Sequence, residues 1–289
     1  MVKGLDSFRS YFAGFEDCYV LIGGTACDLN FASAALPFRA TRDLDIVLCV
    51  EALTPDFSRQ FWRFVAEGGY KRREKSSGNR RFYRFSHPLN ADFPMLLELF
   101  SRKPDFIPED YDGIIAPIPM GEEASSLSAI LLDDTYYRFI FDNRLLEDGV
   151  SFVSPVALIV LKAVAWLDLT AKRESGDATV SARDVSKHKN DIARLVGLSA
   201  GQEPTIPPSI GATMAGFMER YAQESIDVAS LGLGMTQAQI LAELHRLFKQ
   251  EGGDRSASTP PMSSSSAGLR CSNAGTRTYS STYQNPGTR

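Results

Sequence analysis

The stretch Cys18-Tyr19-Val20-Leu21-Ile22-Gly23-Gly24-Thr25-Ala26, followed one helix length later by Arg39-Ala40-Thr41-Arg42-Asp43-Leu44-Asp45-Ile46-Val47, decides how this chain is read. One apolar run, Cys18 to Ile22, leads into two glycines, and a second, Ile46 to Val50, leads away from two aspartates. Successive side chains of a strand point to opposite faces, so Asp43 and Asp45 share a face while Leu44 turns into the sheet. Two carboxylates held that close repel each other unless a cation lies between them. Magnesium takes one or two carboxylates and completes its shell with water and phosphate oxygens. Gly-Gly before a helix is a common turn, and Asp-x-Asp at the mouth of a strand is often a solvated loop. The ordered combination of turn, helix, basic linker and acidic strand says more: a phosphate-gripping turn facing a metal-binding strand.

A third acid stands in Phe93-Pro94-Met95-Leu96-Leu97-Glu98-Leu99-Phe100, where Glu98 is the single charge in an apolar segment of strand length. A buried, unpaired carboxylate is expensive. Either Glu98 projects from an edge strand, or it completes a triad with Asp43 and Asp45 and offsets its burial through a metal ion.

The remainder of the chain reads outward from this centre. With 289 residues and 44% hydrophobic content it can bury a sizeable core, as one large or two modest domains. Helical spacing over 5–15 puts Phe8, Tyr11, Phe12 and Phe15 on one face. The strand at 18–22 is followed by a helix over 25–36, the acidic strand at 43–50 and a helix over 55–67. Thr54-Pro55 starts that last helix and Gly68-Gly69 stops it. Strands near 80–86 and 93–101 extend the sheet, with weaker signals for strands at 113–119 and 135–141. From Ser154-Pro155 the texture becomes helical, over 155–173, 181–197, 208–228 and 236–250. The expectation is a nucleotide-handling α/β domain over 1–150, a mixed twisted sheet flanked by helices. A helical-bundle domain over 151–251 and a disordered tail over 252–289, rich in Ser, Gly, Thr and Pro, complete it.

Composition removes several function classes. No apolar run approaches the ~20 residues that span a bilayer, and the N-terminus lacks the apolar core of a secretory signal, so no membrane partner and a cytoplasmic address are expected. Cys18, Cys27, Cys49 and Cys271 show no CxxC spacing and read as free thiols. A net charge of -4 argues against holding nucleic acid by bulk electrostatics. Local clusters remain. Lys71-Arg72-Arg73-Glu74-Lys75 and Arg80-Arg81-Phe82-Tyr83-Arg84 flank a Ser-Ser-Gly-Asn turn, as a hairpin that is either a charged, aggregation-resistant edge or a basic rim for triphosphate or RNA.

Two further candidates lie in the helical part. Lys162 is the only charge between Ser154 and Leu167; it either snorkels to solvent or reaches a triphosphate across a cleft. Asp184, His188 and Asp191 line up at helical spacing beside Val185, Ile192 and Val196.

Together these residues resemble the DNA polymerase β-type nucleotidyltransferase superfamily, and within it the AbiEii/AbiGii-type toxins of abortive-infection toxin-antitoxin pairs, over about residues 15–200. The family's opening block stands as Gly23-Gly24-Thr25-Ala26 and its Arg-x-Ser/Thr-x-Asp-x-Asp block as Arg39, Thr41, Asp43 and Asp45. Its helical-domain lysine matches Lys162, and its later Lys-rich, Asp-ended motif closes at Asp191-Ile192. Eighteen residues separate Gly24 from Asp43, more than the family pattern, and the late motif leaves Asp184 or Asp191 as the equivalent acid. The resemblance implies a magnesium-dependent enzyme that transfers a nucleotidyl group from a nucleoside triphosphate to an acceptor hydroxyl. Asp43, Asp45 and Glu98 would be its metal residues, Lys162 and Asp191 would belong to its catalytic set, and Gly23, Gly24, Thr25, Arg39 and Thr41 would bind the nucleotide. It further implies RNA, particularly transfer RNA, as acceptor and an antitoxin as partner. The rivals are an aminoglycoside-type small-molecule nucleotidyltransferase and a non-catalytic nucleotide-binding module.

Overall fold

The computed structural model describes residues 2–72, 84–102, 115–117 and 128–249. The strand β1 (Tyr19–Ile22) pairs antiparallel with β2 (Asp43–Leu48), from Tyr19↔Leu48 to Ile22↔Asp45. All of β1 is buried, as are Leu44, Ile46, Val47 and Leu48, so the near-continuous apolar runs of the sequence become interior strands. On its other side β2 runs parallel to β5 (Leu96–Arg102), in the register Asp43↔Leu96, Asp45↔Glu98 and Val47↔Phe100. A parallel neighbour needs a long crossover. Here it consists of α3 (Pro55–Gly68) and the arms β3 (Lys71–Arg72) and β4 (Arg84–Ser86), with β4 antiparallel to β5.

Beyond β1 the sheet continues through β9 (Val150–Val153), parallel to it, and β8 (Arg144–Glu147), antiparallel to β9. The far end of β5 pairs with β7 (Ser128–Leu132), which pairs with β6 (Ile115–Pro117). Among the described residues these nine strands form one mixed sheet.

Helices cover both faces. Leu44, Leu97 and Phe85 lie on the face packed by α3 and α1 (Leu5–Tyr11): the Phe61 ring sits 5.6 Å from Phe85, and Phe8 lies 5.1 Å from Tyr19. The opposite face, which carries Asp43, Asp45 and Glu98, meets the start of α2 (Gly23–Ser33). Behind α2 lies α5 (Pro155–Glu174), which packs on α6 (Ala182–Leu198) and α7 (Pro208–Tyr221); α8 (Gln237–Phe248) closes the bundle. The expected fold class, a mixed α/β sheet flanked by helices and followed by helices, is what the chain adopts. Sheet and bundle belong to one compact unit, Met1–Gln250, with a continuous apolar core.

Sequence punctuation sets many of the boundaries. Thr54 caps α3 by accepting from the Phe57 amide at 3.2 Å, and Gly69 ends it at φ 63. Ser154 caps α5, and Ser181 with Asp184 forms a capping box on α6.

One expected element is overturned: 135–141 is no strand. Asp134–Asp142 forms a helix, α4, because Asp133 caps the Thr135 amide at 2.8 Å and the aromatic side chains Tyr137 and Phe139 are buried with Ile140 on its inner side. The helix expected at 25–36 starts earlier, at Gly23, and the one expected to reach 228 stops at Tyr221. The hairpin tip with Arg80, Arg81, Phe82 and Tyr83, and the tail from 252, lie outside the described residues. Among the described residues no helix is long and apolar enough to cross a membrane.

Candidate functional site

The strand β2 opens with an exposed Asp43, a partly buried Asp45 and a fully buried Leu44 between them. The parallel register sets Glu98 directly beside Asp45 on the same face, so three carboxylates share one patch at the strands' open ends. Glu98 is not on an edge, since β2 flanks its strand on one side and β4 on the other. Nor is it unpaired: Arg84, its register partner on β4, lies 3.6 Å from its Oε1.

Electrostatics reflect the crowding. Burial, then the negative charges of Glu98 and Asp43, push the Asp45 carboxyl up to about 6. Burial also raises Glu98, against the lowering effect of Arg84. A raised folded-state value means that the metal-free native protein loses stability as pH rises from the unfolded carboxylate value of about 4 through about 6. Asp45→Asn is therefore expected to be more stable than the parent near neutral pH, by about 1–3 kcal/mol, and equal to it at acid pH. Urea denaturation in a chelator at both pH values checks this, and equal stabilities at neutral pH would contradict it.

Among the described residues, no group of three or more His, Cys, Asp or Glu side chains gathers tightly enough to hold a metal by itself. Magnesium does not require one, because two carboxylates suffice when phosphate oxygens and water supply the rest. The donor set of Asp43 and Asp45, hard oxygens with mutual repulsion, suits such an ion.

The two glycines meet this patch from the helix side. At Gly23, φ is +67, and a Cβ there would fall 1.9 Å from Asp45 Oδ2. At Gly24, a Cβ would fall 2.7 Å from Thr41 Oγ1 and 3.9 Å from a terminal nitrogen of Arg39. The motif pieces quoted from the sequence therefore meet at one place, where Asp45 lies against Gly23, and Thr41 and then Arg39 lie beside Gly24. Gly23→Ala is expected to cost about 1–3 kcal/mol through the left-handed backbone alone and to displace the Asp45 carboxylate as well. A thermal melt reads the first effect; an unchanged melting temperature would contradict it.

Thr25 plays a different part from the one expected. It is fully buried, and its hydroxyl donates to the Asp43 carbonyl at 2.6 Å, which ties α2 to β2 behind the carboxylates.

Lys162 is neither at the surface nor alone. Only 4% exposed, it donates to Asp191 Oδ2 at 2.8 Å. Arg39 grips the same carboxylate side-on, Nε to Oδ1 at 3.1 Å and Nη2 to Oδ2 at 2.8 Å. Burial acts to raise the Asp191 carboxyl, but the Arg39 hydrogen bonds and the Lys162 charge outweigh it and hold it below the usual carboxylate range. Of the two acids in the late motif, Asp191 is therefore the one brought to the site. Asp184 remains exposed at the start of α6, bonded to Ser181.

His188 flanks the cluster with a buried Nδ1 that has no hydrogen-bond partner among the described residues. Burial, then the charges of Lys162 and Lys187, lower its ring to about 4, so it is neutral at neutral pH. Lys162 and Lys187 also lower the Asp45 carboxyl, which puts the cationic side of α5 and α6 within electrostatic reach of the carboxylate patch.

No family model matches the chain, and no curated protein matches it. Among solved structures, the crystal structure of the Megavirus polyadenylate synthase is similar over 75% of this chain, at 9% identity and a TM-score of 0.37. This chain spans 36% of that one, about a third of its length, and so loose a superposition assigns it no activity.

Proposed function

We propose that the protein is a magnesium-dependent nucleotidyltransferase that moves a nucleotidyl group from a nucleoside triphosphate to an acceptor hydroxyl and releases pyrophosphate. The observation that carries this reading is the register Asp45↔Glu98, with Asp43 on the same face, directly against the Gly23-Gly24 turn. Asp43 and Asp45 would hold magnesium, which when bound supplies charge stabilisation at the phosphate oxygens and lowers the pKa of a bound hydroxyl. Gly23 and Gly24 let Asp45 and Thr41 close directly on the start of α2, whose first-turn amides would meet the phosphates, and Arg39 adds a cation there. Glu98, beside Arg84, serves as base toward the acceptor rather than as a third ligand, since it does not gather with Asp43 and Asp45 into a metal-holding group.

The proposed acceptor is RNA, with transfer RNA the leading case, which would make the enzyme the toxin of an abortive-infection pair. Support comes from the motif blocks at 23–26 and 39–45 and from the basic sequence between Lys71 and Arg84. Incubation with triphosphates labelled at the α-phosphate, magnesium and total cellular RNA tests this. Label in RNA supports the reading; label in an aminoglycoside and none in RNA hands the site to small-molecule chemistry.

A further inference from the structure

The cluster of Arg39, Lys162 and Asp191 joins three parts of the chain: the linker before β2, the middle of α5 and the middle of α6. Its geometry is graded by depth. The side chain of Asp191 is 1% exposed, that of Lys162 5% and that of Arg39 28%. Asp191 takes the Nε and Nη2 edge of the guanidinium, so the plane of Arg39 is fixed and its other edge is turned away from the carboxylate. The nitrogen beside Gly24, in the first turn of α2, is Nη2, 3.9 Å from where a Cβ there would sit; it gives one N–H to Asp191 and keeps a second. The guanidinium is also packed from one side, since its Cζ lies over the Phe38 ring, 5.1 Å from the centroid.

Charge adds a second constraint. An isolated Arg39–Asp191 pair would be neutral and would offer a phosphate little. Lys162, 2.8 Å from the same carboxylate, brings the cluster to net positive while remaining almost wholly buried. A buried ammonium already engaged by a carboxylate is poorly placed to reach a ligand outside.

We infer that Arg39 is the phosphate-contacting cation of this cluster, and that Asp191 and Lys162 are positioning residues that act only through it: Asp191 sets the guanidinium plane and Lys162 restores the positive charge that Asp191 would cancel. This rests on the nucleotidyltransferase reading, and it moves Lys162 and Asp191, which the family resemblance places in the catalytic set, to positions behind Arg39, which it places among the nucleotide-binding residues.

The test is titration of a nonhydrolysable triphosphate with magnesium into the full chain and its variants. Arg39→Met is expected to weaken binding by about tenfold or more, and Lys162→Met by a similar factor. The triple variant Arg39→Met, Lys162→Met, Asp191→Leu removes all charges together and leaves none unpaired, so the fold is retained. If Lys162 and Asp191 act through Arg39, the triple variant binds no more weakly than Arg39→Met, within about threefold. A further tenfold loss in the triple variant would mean that Lys162 or Asp191 touches the ligand itself, and would overturn the inference. Wild-type affinity in Arg39→Met would overturn it as well. Absence of triphosphate binding in the parent protein is a separate outcome, which rejects the nucleotidyltransferase reading on which the inference stands.

Discussion

Replacing Asp43 or Asp45 by asparagine is expected to lower nucleotidyl transfer by about three powers of ten or more, with the fold intact. The amide is nearly isosteric with the carboxylate but lacks its charge, so it cannot anchor a hard cation or balance the phosphates around it. For Asp45 the structure adds a stability effect of opposite sign. Its carboxyl, pushed up to about 6 by burial and by Glu98 and Asp43, burdens the metal-free fold at neutral pH. Asp45→Asn should therefore be inactive and more stable at once, a combination that separates a lost catalytic group from a damaged fold. Magnesium should stabilise the parent against urea and leave Asp45→Asn almost unaffected. Retained transfer in the double asparagine variant would remove both residues from the mechanism.

The second large effect concerns stability. Asp191→Ala leaves Lys162, almost wholly buried, and Arg39, about one-quarter exposed, facing each other without the carboxylate that binds both. Breaking a buried ion pair from one side costs about 3–5 kcal/mol, because the partner charge stays desolvated. The paired replacement Lys162→Met with Asp191→Leu should be far milder, since apolar groups of similar volume often substitute for a buried pair at little net cost. Because the Asp191 carboxyl is held below its ordinary range, its contribution is complete above the unfolded carboxylate value of about 4. That contribution is lost as pH falls through the lower folded value. Denaturation midpoints across acid pH check the sign; a loss below about 1 kcal/mol for Asp191→Ala would show that the cluster is not structurally important.

The sheet was legible because its two central strands are apolar runs bounded by glycines and carboxylates, and because period-two alternation predicts which side Asp43 and Asp45 face. Capping signals at Thr54-Pro55 and Ser154-Pro155 likewise located two helix starts that the structure confirms. The segment Thr135 to Phe141 misled for a physical reason. Its aromatic and β-branched residues favour strands on composition, but the two aspartates ahead of it, Asp133 and Asp134, supply a cap and a first-turn charge. The hairpin of β8 and β9 turns at Asp148-Gly149, both at positive φ, a dipeptide that suits a two-residue turn.

What the sequence did not carry was pairing at long range. Arg39 and Asp191 are 152 positions apart, and Lys162 and Asp191 are 29 apart. A lysine in an apolar helix therefore read as snorkelling or reaching outward, when tertiary packing supplies it with a buried carboxylate. The same holds for Glu98, whose burial is offset by Arg84 across the sheet as well as by anything bound at the patch. Thr25 shows the complementary limit: a hydroxyl beside a Gly-Gly turn suits a phosphate, but its neighbour in space is the Asp43 carbonyl.

The most direct measurement is pyrophosphate release by the purified full chain given each nucleoside triphosphate, total RNA and magnesium. The account predicts release that requires both magnesium and RNA and that disappears in Asp43→Asn. No release with any triphosphate and either acceptor, RNA or aminoglycoside, or release undiminished in Asp43→Asn, would contradict it.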